Sequence, residues 1–213
     1  AIDRAGIVGA DGPTHTGAYD ISFLRCIPNL VLMTPADAEE CRGLLTTAFL
    51  HDGPCAVRYP RGVAAGIIES NDLSALPFGQ AKQLRSSSAK DSRIALLVFG
   101  SLLSPALDAA QEIDAGVYSM RFVKPLDQQT LDRVAEQYDL LVTIEDNAIA
   151  GGAGSAVAEY FNDKNIKVSL LQIGFPDQLI NHGKPAELLA DWKLDKPGIL
   201  QQIRAWVKDL SIN

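Results

Sequence analysis

"RIALLVFGSLLSPALDAAQEIDAGVYSMRF", Arg93–Phe122, decides how the chain folds. Its first part, "RIALLVFG", is an unbroken aliphatic run of strand length that ends at glycine, the pattern of a strand buried on both faces. "SPALDAAQEI" reads as a helix and "GVYSMRF" as the next strand. The alternation continues downstream. "DQQTLDRVAEQY" is a helix, "DLLVTIED" a strand, "GSAVAEYFND" a helix, "VSLLQIGF" a strand, and the tail from Lys184 carries one or two more helices. Strands separated by helix-length segments predict an α/β fold with a mostly parallel sheet and helices on both faces.

Upstream, "FGQAKQLR" before the "SSSAKD" turn is expected to open the same unit. A composition shift from Gly62 to about Asp91, with "ESNDLSALP" in it, places a domain boundary near Ala75. The expected domains are therefore 1–75 and 76–213. Within the first, "NLVLMTP" (Asn29–Pro35) is an aliphatic strand closed by proline, and "ADAEECRGLLTTAFLHDG" is a helix. Asp37 suits its N-cap, Glu39 and Glu40 its first turn, and Gly53 its end. "PCAVRYPRG" is a second strand, so strand, helix and strand form a parallel crossover unit. The first domain reads as an incomplete doubly wound segment, because "AIDRAG" at the start resembles the tail of a strand whose beginning lies elsewhere; Ala1 and Ile2 are expected within a sheet. No repeat of solenoid type is present.

Composition narrows the function classes. With 213 residues and 47% hydrophobic content the chain can fill a sizeable core, and a formal net charge of -7 disfavours general binding to nucleic acid or anionic membranes. An anion site must then be local. Cys26, Cys41 and Cys55 are odd in number and read as reduced core residues in a cytosol-like compartment. No apolar run approaches the roughly 20 residues of a membrane-spanning helix, and no secretory signal is recognisable.

Chemistry concentrates in "GADGPTHTGAYD", Gly9–Asp20. Gly9, Gly12 and Gly17 let backbone approach a ligand, Pro13 stiffens the turn, and Asp11 lies four residues before His15. A carboxylate bonded to one ring nitrogen would fix the tautomer and raise imidazole basicity, so an Asp11–His15 pair is expected if the loop coils. The plain alternative is a solvated, turn-stabilising histidine. Asp11, His15 and Asp20 form a weak metal candidate without zinc-type spacing. "IAGGAGSAVAEY" is glycine-rich and opens a helix, but tight strand–helix packing explains it better than phosphate binding.

"DRAGIVGADGPTHTGAYDISFLRCIPNLVLMTPAD", "DGPCAVRYPRG", "MRFVKPLD", "TIEDNAIAGGAGSAV" and "IGFPDQLINHG" together resemble the C-terminal part of the 1-deoxy-D-xylulose-5-phosphate synthases, thiamine-diphosphate enzymes of the transketolase superfamily. The resemblance runs over essentially the whole chain. It implies the second half of the pyrimidine-binding domain followed by the transketolase C-terminal domain. It also implies that thiamine diphosphate and Mg2+ are bound mainly by residues upstream of this chain, in the same polypeptide, and that the enzyme is a homodimer in the bacterial cytoplasm or the plastid stroma. The implied reaction condenses pyruvate, after loss of CO2, with D-glyceraldehyde 3-phosphate. Without its upstream portion the chain is expected to be inactive.

Site residues follow from the same resemblance. His15 matches the family's histidine near the thiazolium, with hydrogen bonding and proton transfer to substrate oxygens as its implied role. Asp11 matches the acidic residue that contacts substrate hydroxyls. Arg4 and Arg61 match phosphate-binding positions; Arg61 also follows a strand end, where open α/β sheets place ligands, and a guanidinium binds phosphate bidentately. Arg58 is expected to face away or pair structurally, and Arg25 to make a surface ion pair. His51 suits a helix C-terminus and His182 a turn near the domain interface. Glu145 and Asp146 cap the next helix or contact a second subunit, two alternatives that the sequence leaves open. A transketolase, a 2-oxoacid dehydrogenase E1 β-type chain and a non-catalytic dimerisation module are the competing readings.

Overall fold

The alternating pattern folds as strands and helices in the computed structural model, which describes residues 1–62, 73–88 and 93–212. In chain order the elements are α1 (Asp20–Leu24), β1 (Val31–Met33), α2 (Ala38–Leu50), β2 (Cys55–Val57), β3 (Lys82–Arg85), β4 (Ile94–Phe99), α3 (Leu103–Ile113), β5 (Gly116–Ser119), β6 (Phe122–Lys124), α4 (Gln128–Gln137), β7 (Leu140–Ala148), α5 (Ala153–Asp163), β8 (Ser169–Phe175), α6 (Pro185–Asp191) and α7 (Lys196–Ile212). Much of the compositionally distinct stretch before Asp91, including part of "ESNDLSALP" and of "SSSAKD", lies outside the described residues.

The larger sheet has the order β3-β5-β4-β7-β8, with only β3 antiparallel to its neighbour. Central β4 alternates between two cores: Leu96 and Val98 pack with α3 and α7 on one face, while Ala95, Leu97 and Phe99 pack with α4 and α5 on the other. Burial on both faces is why the sequence shows an aliphatic run there and no polar alternation. Asp127 caps α4, accepting from the Thr130 amide at 3.0 Å and its hydroxyl at 2.8 Å. Asp37 caps α2 through the Glu40 amide at 2.8 Å. α2 stops at Leu50, before Gly53, and His51 takes the C-cap and stacks on Phe78 with ring centroids 5.3 Å apart.

The smaller sheet has the order β2-β1-β6. β1 and β2 are parallel, as the crossover pattern predicts, and Ile2 bridges Arg58 in parallel on the far side of β2. The expected single strand "GVYSMRF" is in fact two. It breaks at Arg121, whose φ of 58° is left-handed, and its second piece, β6, leaves the larger sheet to pair antiparallel with β1. The cause is a buried ion pair. Arg121 Nε donates to Glu40 at 2.8 Å, the same carboxylate accepts from Ser119 Oγ at 3.0 Å and the Ala36 amide at 3.1 Å, and the Thr34 amide donates to the Arg121 carbonyl at 2.7 Å. The second apolar core is accordingly shared: Ile21, Leu30, Leu32 and Ala56 pack with Leu97, Phe99 and Met120. A second correction concerns Cys26, which is exposed; all three cysteines are free thiols.

Candidate functional site

The site loop starts from β2. Residues 2–5 run beside it, with the Ile2 amide donating to the Val57 carbonyl at 2.9 Å and the Ala5 amide to Tyr59 at 3.0 Å. The chain then makes a 3₁₀ turn at Gly9–Asp11 and returns, so that the Gly17 amide donates to the Gly6 carbonyl at 3.1 Å and Thr16 Oγ1 to the same carbonyl at 2.7 Å. The return passes so close that a Cβ on Gly17 would overlap the Arg4 carbonyl and lie 2.5 Å from Asp20 Oδ2, which explains the glycine. His182 lies against this loop at Gly12, and the Gly183 amide donates to the Gly9 carbonyl at 3.3 Å.

Three of the four candidate residues converge. Arg4 Nη1 lies 3.3 Å from Asp11 Oδ2, and Arg61 Nη1 makes an ion pair with the same oxygen. The side chains of Arg4, Asp11 and Arg61 are 40%, 31% and 54% exposed, so the cluster is open to a ligand. Asp3 Oδ1 lies 3.9 Å from Arg4 Nε as well, so two guanidiniums face two carboxylates, and at this exposure the pairs are weak enough for a ligand to compete for them.

His15 is placed differently from the sequence expectation. Its Nδ1 lies 2.9 Å from the Thr14 hydroxyl, its side chain is exposed, and Asp11 is committed to the arginines. The expected Asp11–His15 hydrogen bond is thus absent, because Asp11 is paired with two guanidiniums instead. The exposed imidazole sits on the same loop as Asp11. The Asp11, His15 and Asp20 trio does not assemble, since Asp20 is bound by Arg58 Nε at 3.3 Å. Burial raises the Asp20 carboxyl above its ordinary value, and Arg58 partly opposes that.

Arg58, expected to pair structurally, is fully buried. Nη1 donates to Asp146 Oδ1 at 2.5 Å, and Nη2 donates to the Gly17 carbonyl at 2.7 Å and the Asp146 carbonyl at 3.0 Å. The signal that could have found this is an arginine beside the apolar run "CAV" and the acidic pair ending "TIED", though neither names the other as its partner.

Glu145 settles the role of the glycine-rich loop. Its carboxylate accepts from the Ala153 amide at 2.7 Å and the Gly154 amide at 2.9 Å, capping α5, and a Cβ on Gly152 would collide with it. Burial outweighs these two donors and pushes the Glu145 carboxyl up to about 8. The donors that a phosphate would need are therefore occupied. Among the described residues no three His, Cys, Asp or Glu side chains gather as a metal-holding set. No helix among the described residues is long and apolar enough to cross a membrane.

Comparison with known proteins matches residues 1–65 to the transketolase pyrimidine binding domain and residues 79–199 to the transketolase C-terminal domain. The chain is 53% identical over 204 residues to the 1-deoxy-D-xylulose-5-phosphate synthase of Nitrosomonas europaea, covering 96% of this chain and 33% of that protein. It is 54% identical over 210 residues to that of Thioalkalivibrio sulfidiphilus, covering 99% and 32%. It thus spans about a third of the length of these relatives. Among solved structures, a split-gene transketolase described as an inactive β4 tetramer superposes with a TM-score of 0.78 at 25% identity, over 91% of this chain and 62% of that one. The transketolase of Campylobacter jejuni shares the fold, with a TM-score of 0.68 at 20% identity over 96% and 30% of the respective chains. The chain belongs to the transketolase family, and within it matches the C-terminal part of the 1-deoxy-D-xylulose-5-phosphate synthases.

Proposed function

We propose that this chain is the substrate-binding and C-terminal portion of a thiamine-diphosphate-dependent synthase that joins pyruvate, with loss of CO2, to D-glyceraldehyde 3-phosphate. The product, 1-deoxy-D-xylulose 5-phosphate, opens the methylerythritol phosphate route to isoprenoids and also feeds thiamine synthesis. The pyrimidine-binding part ends near Ala75 and the C-terminal domain occupies 76–213. Thiamine diphosphate and Mg2+ are cofactors held by the polypeptide upstream of Ala1, the working enzyme is a homodimer, and its compartment is the cytoplasm or plastid stroma. Identity above half to several synthases supports this reading.

The observation that carries the site assignment is the convergence of Arg4 and Arg61 on Asp11 beyond the end of β2. In the proposed complex the two guanidiniums take the phosphate of the aldehyde substrate, with charge-assisted, bidentate contacts. Asp11, released from part of its ion pairing, accepts hydrogen bonds from substrate hydroxyls. His15 exchanges a proton with a substrate oxygen as charge develops there. The chain alone is expected to be silent, a reading that the inactive β4 tetramer of the split-gene transketolase supports by likeness.

The test compares this chain with the complete polypeptide carrying it, each supplied with thiamine diphosphate, Mg2+, pyruvate and D-glyceraldehyde 3-phosphate. Coupled release of CO2 and sugar phosphate by the complete polypeptide alone is expected. Turnover of ketose donors in preference to pyruvate would instead favour a transketolase.

A further inference from the structure

We infer that Arg58 and Asp146 form a positioning element through which the C-terminal unit holds the Arg4–Asp11–His15 loop and Arg61 in register. The inference rests on the functional reading above. It begins with an economy of contacts. One buried guanidinium binds acceptors on two separate segments: Gly17 and Asp20 on the loop, and the side chain and carbonyl of Asp146 at the end of β7. Gly17 is two residues after His15, and Arg58 is three residues before Arg61 on the same strand exit. The arginine therefore fixes the loop and the strand end to each other.

Asp146 ties this joint to the larger sheet. Its second oxygen accepts from Ser101 Oγ at 2.5 Å, and Gly6, with φ +64°, passes so close that an added Cβ would lie 3.1 Å from Asp146 Cβ. The neighbouring backbone repeats the attachment. The Ala148 amide donates to the Ala18 carbonyl at 2.6 Å, and the Ile21 amide to Asn147 Oδ1 at 3.0 Å. A buried ion pair is a poor source of stability, because desolvation consumes most of its Coulombic gain. What it supplies here is a fixed geometry, since four acceptors on the two segments hold the planar guanidinium at once. A binding constellation needs such support to within about half an ångström.

The experiment uses the complete polypeptide with Asp146→Asn, Ser101→Ala and, as a control, Glu40→Gln. Glu40 belongs to another buried ion pair, with Arg121, that does not touch the loop. Amide exchange at Gly12, His15 and Gly17 is followed together with kcat and KM for D-glyceraldehyde 3-phosphate. Asp146→Asn is expected to speed exchange at these amides about tenfold or more and to raise KM about tenfold, while amides of α4 and α7 keep their protection. Ser101→Ala should do the same more weakly. Glu40→Gln should lower the melting temperature and leave both readouts unchanged. Unchanged loop exchange in Asp146→Asn, or an equal rise in KM in Glu40→Gln, would overturn the inference. If Asp146→Asn does not fold, Ser101→Ala decides by the same criteria. If even the unaltered polypeptide makes no product, the functional reading falls and the exchange data still decide the positioning role.

Discussion

Glu40→Ala tests the claim that the two sheets are one cooperative structure. The Glu40 and Arg121 side chains are 7% and 8% exposed. Truncation leaves the Arg121 guanidinium buried without its carboxylate, and also orphans the Ser119 hydroxyl and the Ala36 amide. Breaking a buried pair from one side costs about 3–5 kcal/mol. For a chain of this size each kcal/mol lowers Tm by roughly 2–4 °C, so the expected drop is roughly 6–20 °C. Thermal unfolding by circular dichroism measures it. The loss should appear in one transition, because β6 and the shared core couple the smaller sheet to the larger. Replacing both partners with apolar residues, Glu40→Leu with Arg121→Met, should recover a good part of the loss. A drop below about 3 °C, or a separate early transition with the rest unchanged, would refute the coupling argument.

Two further predictions concern single groups. His15→Ala in the complete polypeptide should lower kcat about a hundredfold or more with thiamine diphosphate affinity nearly unchanged, and unaltered turnover would reduce His15 to a loop residue. Glu145, with its carboxyl near 8 in the folded state, keeps a proton that the unfolded chain has already released, so rising pH favours unfolding. The urea midpoint of the chain should therefore fall between about pH 5 and pH 8 and level off above, and Glu145→Gln should remove that fall; a midpoint that climbs over this interval by the same amount in both proteins would contradict it.

The elements that periodicity and capping dictate were legible: the aliphatic run of β4 and the Asp37 cap appear where sequence places them. The break at Arg121 was not. "GVYSMRF" is uniformly strand-like, and only the distant Glu40 explains why its second half leaves the sheet. In the site, the arginines and Asp11 were recognised from motif likeness, and their mutual pairing emerged only in three dimensions. Asp11–His15 failed as an expectation because sequence spacing says nothing about competing cations. Asp146 stayed undecided for a related reason: its partner Arg58 lies 88 residues away.

The most direct test of the central claim is the aldehyde specificity of Arg61→Ala in the complete polypeptide. The exposed Arg61–Asp11 pair contributes little to folding, so the effect should appear in binding and leave Tm nearly unchanged. Loss of a charge-assisted contact of about 1.5–3 kcal/mol raises KM for D-glyceraldehyde 3-phosphate about ten- to hundredfold. Pyruvate kinetics and the reaction of unphosphorylated glyceraldehyde should stay as in the unaltered enzyme. Equal losses with both aldehydes would mean that Arg61 holds the loop together without reading the phosphate, and the assignment of this cluster as the phosphate site would be wrong.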